Sequence, residues 1–218
     1  MIRYILTLLL VLPLWSAAQT ETAATEQKSS PPIKKWGIGI VPQYAITSGT
    51  RIDIDFRLPG RNQWLVVAPQ FYLVTENSGL WSFNEMTGAG LDLQHRLYLG
   101  QRPEPRGPWV GYGPVLQYRS VTDDGVAAYH FREEGVDYIG VGQQEMQTGI
   151  WKTGANLLIG YQAIASRYFY FDFYLGTGIR FSFDNRTSGL HSLYNEWWGD
   201  LGYSGTLMVG GFRFGILL

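Results

Sequence analysis

The chain of 218 residues contains no cysteine. Disulfides cannot staple it, and thiolate nucleophiles, Cys-ligated metal sites and an acylated-cysteine lipoprotein anchor are all excluded. Histidine is scarce as well. His95, His130 and His191 are scattered over separate segments, so no metal cluster is visible. An excess of one charge is also missing, since 17 basic and 18 acidic residues leave a net charge of −1. That balance gives a polyanion nothing to hold, and no nucleic-acid partner is expected. Beyond the first residues, no apolar run approaches the ~20 positions of a membrane-spanning helix. No long window has helical periodicity. The glycine-rich stretches open no helix, so they form no phosphate loop, and no cofactor is expected.

What is present begins with a leader. Arg3, the apolar run YILTLLLVLPLW and the small residues Ser16-Ala17-Ala18 follow the order of a secretory signal peptide. Pro13 and the shortness of the run argue against a retained anchor. Residues 1–18 are therefore expected to be removed, and the mature chain to start near Gln19. Residues 19–35 are polar and proline-bearing, too poor in apolar surface to order themselves, and are expected to be a flexible tail. Residues 36–218 remain as one domain of ordinary size.

In that domain the recurring period is two, the signature of strands with two different faces. RIDIDFRL (51–58) sets isoleucine and phenylalanine against a polar face that is wholly charged. WGIGIVPQYA (36–45) puts Trp36, Ile38, Ile40, Pro42 and Tyr44 on one side. QWLVVAPQFYLVT (63–75) sets Leu65, Val67, Phe71 and Leu73 against Gln70 and Tyr72. GLDLQHRLYLG (90–100) sets four leucines against Asp92, Gln94 and Arg96, and WVGYGPVLQYRSV (109–121) sets Tyr112 and Leu116 against Gln117 and Arg119. WKTGANLLIGYQA (151–163), YFYFDFYLGTGIRFSF (168–183) and SGTLMVGGFRFGILL (204–218) continue in kind, which makes eight candidate strands.

Connections after the odd-numbered strands are mostly long (76–87, 122–149, 184–204). Those after the even-numbered strands are short (59–62, 101–108, and a turn at Ser166-Arg167). Strands of about 10–13 residues with long loops at one end and short turns at the other are the arrangement of a transmembrane barrel. The expected fold is therefore all-β, an eight-stranded antiparallel up-and-down barrel, with both termini and the tail 19–35 on the short-turn, periplasmic side. The apolar face then meets lipid. The inferred lumen holds Asp53, Asp55, Asp92 and Asp172 with Arg57, Arg96, Arg119, Lys152, Arg180 and Arg213. So narrow a lumen can be filled by side chains, with opposite charges satisfying one another. Counting along the strands places Asp172 beside Arg213 and Asp92 diagonal to Arg119. Trp36, Trp64, Trp109, Trp151, Tyr98, Tyr118 and Tyr168 stand near strand ends, where interfacial girdles form.

With those strands the chain resembles the small outer-membrane barrels of the OmpA and OmpX type. The final GGFRFGILL resembles the terminal strand by which such barrels are inserted, with Leu218 where many carry phenylalanine. The leader end SAAQ is similar to exported proteins of Bacteroidota. The resemblance implies an outer-membrane location, with outer-membrane lipid and lipopolysaccharide around the barrel. It also implies a structural or surface-interaction role, in which the outer loops could reach a protein partner.

Two rival functions have a sequence feature behind them. In GLHSLYNE, His191, Ser192 and Glu196 are the residue types of outer-membrane lipid A deacylases, which space His and Ser one residue apart on a strand. Here the two are adjacent in a loop, a poor geometry for a base to reach its nucleophile, and no catalytic residue is assigned. The other rival is a small channel, which a charge-filled lumen disfavours. Asp123, Asp124, Glu133 and Glu134 match no calcium-loop spacing. His95 points outward among leucines, where either a bulge or a bond to a neighbouring strand is expected. The segment 122–149 has a hydrophobic middle, and either extends the barrel as a hairpin or contacts a partner.

Overall fold

A computed structural model describes residues 34–60, 62–75, 83–100, 105–185 and 201–218. The leader, nearly all of the tail, and His191, Ser192, Glu196, Trp197 and Trp198 lie outside the described residues. Among the described residues nine elements follow one another, eight strands and one 3-10 helix. The strands are β1 (Trp36–Ile40), β2 (Gly49–Arg57), β3 (Gln63–Val74), β4 (Glu85–Tyr98), β5 (Gly107–Glu133), β6 (Val136–Ile164), β7 (Phe169–Asp184) and β8 (Gly205–Leu217). Each pairs antiparallel with its neighbours in sequence, and β1 pairs with β8, so the sheet closes into a barrel. The seam runs from Gly37 opposite Leu217 to Ile40 opposite Phe214.

The two faces follow the period-two pattern, and they are inverted relative to a water-soluble barrel. On β7, Phe169, Phe171, Phe173, Leu175, Ile179, Phe181 and Phe183 are all exposed, while Tyr170 and Asp172 are fully buried. Charge is inside and hydrocarbon is outside. The sheet has this form because side chains on a pleated strand alternate, and every strand is phased so that its polar set points inward.

Three expectations about elements need correction. First, β1 does not run to Ala45. Pro42, with its fixed φ and no N–H to give a ladder, starts a 3-10 helix, Pro42–Thr47, which Ser48 ends in a left-handed conformation (φ 53°). Second, residues 122–149, counted as a connection between strands, take the hairpin form that was one of the two readings of the segment. β5 and β6 pair continuously from Gly107 opposite Gln162 to Glu133 opposite Val136. The turn between them, Glu134 and Gly135 (φ 50° and 84°), has the two positive φ angles that suit a two-residue hairpin. β4 accompanies β5 only to Thr122, and β7 accompanies β6 only from Ile150. A ribbon about 35 Å long at ~3.4 Å per residue therefore extends past the barrel wall. Third, the aromatic girdle is thinner than expected. Trp36, Trp151, Tyr118 and Tyr168 do face outward, but Trp64, Trp109 and Tyr98 are buried inside the lumen. Trp109 fits there because Gly160 has no side chain: a Cβ on it would press into the indole ring.

The barrel interior as candidate functional site

The lower half of the lumen, nearest the termini, is filled by one charge network. Asp172 on β7 is its centre. Arg213 Nε on β8 donates to Asp172 Oδ2 at 2.7 Å, Arg96 Nη1 on β4 donates to the same oxygen at 2.7 Å, and Trp109 Nε1 on β5 donates to Oδ1 at 2.8 Å. Arg213 Nη1 also reaches Asp55 Oδ1 (2.7 Å) and Asp53 Oδ2 (3.2 Å) on β2. Tyr170 Oη donates to Asp55 Oδ2 at 2.9 Å. Arg51 extends the network upward, donating from Nε to Asp53 Oδ1 (2.6 Å) and from Nη1 to Asp92 Oδ2 (2.8 Å). Rings cover the cations: the Arg96 guanidinium lies 4.1 Å from the Trp109 centroid and that of Arg213 lies 5.1 Å from Tyr170. Four carboxylates and three guanidiniums thus share one buried space, where a lone charge would be costly.

Six of the lumen residues expected from the alternation lie in this network: Asp53, Asp55, Asp92, Arg96, Asp172 and Arg213. Asp172 and Arg213 are direct cross-strand partners. Asp92 is not diagonal to Arg119. Arg119 stands opposite Gly88, four residues from Asp92, and Asp92 instead takes Arg51 and Asn156 (Nδ2 to Oδ2, 3.4 Å). Sheared strands shift register in a way that counting from strand ends does not capture. Arg119, Lys152 and Arg180 are buried above the network, Arg119 lying 4.2 Å over the Tyr72 ring and Arg180 Nη2 donating to Asn156 Oδ1 at 2.6 Å. Arg57 is outside it, half-buried at the end of β2 beside Lys35 and Gly60. Arg51 was missing from the expected set although it has the same odd-numbered phase as Asp53 and Asp55. Phase alone would have found it.

Above the network the lumen is not filled. A cavity of about 390 Å³ is lined by Gln43 and Tyr44 of the 3-10 helix, and by Arg51, Asp92, Gln117 and Arg180 among the wall residues. Buried acceptors, Asp92 Oδ1, Gln117 Oε1 and Gln43 Oε1, have no protein hydrogen-bond partner among the described residues. Gln43 Nε2 donates to Tyr174 Oη at 3.0 Å, which ties the helix to the far wall of the seam.

The remaining candidates are structural in their contacts. His95 bridges its neighbours, Nδ1 to Tyr112 Oη (2.9 Å) and Nε2 to Gln63 Oε1 (3.3 Å), as expected of a polar side chain on an apolar face. Asp123 and Asp124 lie at the base of the ribbon and Glu133 and Glu134 at its tip, so they do not converge. Among the described residues no group of three or more His, Cys, Asp or Glu side chains could hold a metal ion.

No protein-family model and no curated protein matches the chain. Among solved structures it is similar to the crystal structure of Acinetobacter baumannii CarO, with a TM-score of 0.41 and 13% identity over 86% of this chain and 98% of that one. It is also similar to Acinetobacter baumannii CarO2, with a TM-score of 0.36 and 10% identity over 85% and 98%. Likeness at that level carries no functional argument, and the barrel stands on its own strand pairing.

Proposed function

We propose that the chain is an exported, non-enzymatic integral barrel of the outer membrane that acts at the cell surface through the β5–β6 ribbon. The inverted barrel carries this reading: a closed sheet with charge inside and a continuous apolar band outside is stable only with hydrocarbon around it. Outer-membrane lipid and lipopolysaccharide are then its immediate surroundings. The ribbon supports the surface role. Tyr129, Phe131, Val136 and Tyr138 are exposed on one face of it, with Phe131 stacked on Tyr138 at 5.4 Å between centroids, and Val126, Ile139 and Val141 are exposed on the other. An isolated two-stranded ribbon is marginal in water, and a contiguous apolar patch on it is the usual mark of a protein contact. Photo-crosslinking from Val136, on the same face as Tyr129 and Phe131, on intact cells tests the reading. A discrete adduct, lost in the Tyr129→Ser/Phe131→Ser double variant, is expected, and its absence would leave the ribbon without a partner role.

A further inference from the structure

The two ends of the barrel carry opposite charge. The ribbon at one end is acidic, with Arg132 its one Lys or Arg. At the short-turn end the charged side chains are Lys34, Lys35, Arg57, Arg106 and Arg167, with no Asp or Glu among the described residues there. Two of these cations are forced together by register. Trp36 stands opposite Phe56. One residue further toward the barrel end, Lys35 therefore stands opposite Arg57, whose N–H donates to Lys35 O at 2.7 Å. Both have the inward phase of Gly37 and Asp55, so the two side chains share one side of the sheet.

Like charges directly opposite one another destabilise a sheet. No acid of the barrel relieves this pair. Asp55, the next inward residue on β2, is held by Arg213 Nη1 at 2.7 Å and by Tyr170 Oη at 2.9 Å. Neither Lys35 nor Arg57 has an ion pair among the described residues, and the charge network uses neither. The pair lines an open hollow of about 380 Å³ together with Leu58, Pro59 and Gly60. Pro59 has a fixed φ and Gly60 has φ 119°, which only glycine adopts readily, so backbone sets the turn beside the cations.

We propose that Lys35 and Arg57 form a seat for a phosphate monoester at the short-turn mouth of the barrel. Two adjacent positive charges call for a dianion, which a phosphate monoester approaches near neutral pH and a single carboxylate does not. The Arg57 guanidinium offers paired donors to two phosphate oxygens, and the Lys35 ammonium adds a point charge. Leu58 and Pro59 give the organic part of the ester an apolar wall. Arg106 and Arg167 on the same end raise the local concentration of anions. The ester has two sources. On the membrane reading above, exposed Trp36 and Phe56 stand where the wall meets the lipid headgroups, which brings a phosphate-bearing headgroup within reach. A free phosphate ester in the water at that end is the other.

In zwitterionic detergent, glycerol 3-phosphate should raise the urea midpoint of the full chain saturably, whereas sodium chloride of equal ionic strength should not. Without phosphate, Arg57→Gln should also raise the midpoint, because it removes one of two opposed like charges. The same variant should bind glycerol 3-phosphate at least tenfold more weakly, and so should Lys35→Gln. Arg132→Gln, at the acidic end, should bind it unchanged. Nanodiscs of phosphatidylcholine separate the two sources. Phosphatidate in the disc that competes with glycerol 3-phosphate identifies a lipid headgroup as the ligand, and lack of competition identifies a free ester. A midpoint shift that chloride reproduces, or that survives in the Lys35→Gln/Arg57→Gln double variant, would overturn the seat. So would an Arg57→Gln barrel less stable than the original without phosphate, since Arg57 would then be holding the fold. Failure to insert into the disc would overturn the barrel reading instead, and is scored separately by the heat-shifted gel migration of a folded barrel.

Discussion

Asp172 has no solvent exposure and accepts from Arg213, Arg96 and Trp109 at 2.7–2.8 Å. Removing the carboxylate leaves two guanidiniums in a space that cannot hydrate them, a loss of about 3–5 kcal/mol for this kind of pair. Asp172→Ala and Arg213→Ala should each lower the urea midpoint in detergent, and the double variant should lose clearly less than their sum. Strict additivity would show that the two do not act as a pair. The opposite face is governed by hydrocarbon. Phe173 is exposed four residues into β7, and Phe173→Arg should cost about 2–4 kcal/mol of stability, whereas Phe183→Arg at the far end of the strand should cost about 0–1 kcal/mol. Equal tolerance at both depths, measured by unfolding from liposomes, would argue against a bilayer around β7. Both faces were legible in the sequence, because a strand cannot alternate in any other way. Trp64 and Trp109 were legible too: Trp64 has the even phase of Gln70, and Trp109 the odd phase of Arg119. The usual place of tryptophan at barrel ends obscured a phase the residues already displayed.

Two elements depart from the plain barrel, and both departures begin at a single short signal. Pro42 interrupts an otherwise regular alternation, and its missing N–H makes a strand through that point untenable. The Glu134-Gly135 turn lies inside a polar stretch that reads as loop until the alternation on either side is paired across it. The ribbon it closes is joined to the barrel chiefly through its own two strands, with Asn84 Nδ2 donating to Asp124 Oδ2 at its base (3.0 Å). Cutting the chain after Thr122, resuming at Gln147 and joining them with Asn-Gly should therefore preserve the barrel, because Thr122 and Gln147 already face one another. The trimmed protein should show the same heat-shifted migration and an unfolding midpoint close to that of the full chain. Loss of the folded band would mean that the ribbon is part of the barrel's folding unit. The shear of the sheet was not legible: the Arg51–Asp92 and Arg96–Asp172 contacts cross the lumen between distant strands, and no local pattern encodes how far each strand slides past the next.

At the scale of the whole molecule, the network is a septum. Asp53 and Asp55 come from β2, Arg96 from β4, Trp109 from β5, Gln162 from β6, Asp172 from β7 and Arg213 from β8, so six of the eight walls contribute to one layer. Arg213 Nη2 reaches Gln162 Oε1 at 3.3 Å and Tyr98 Oη donates to the same oxygen at 2.6 Å, which closes the layer on the side away from β2. An ion passing through would have to displace one member of a paired set, at a cost similar to breaking a buried ion pair, so thermal crossing is rare. The outer cavity is a dead end below. Purified protein in planar bilayers should accordingly give no steady current. The Asp172→Ala/Arg96→Ala/Arg213→Ala variant removes the centre of the septum and its two arginines, and should conduct. A steady open-channel current from the unaltered barrel would show that the septum is not closed. A silent triple variant that still migrates as folded would place the barrier elsewhere in the lumen.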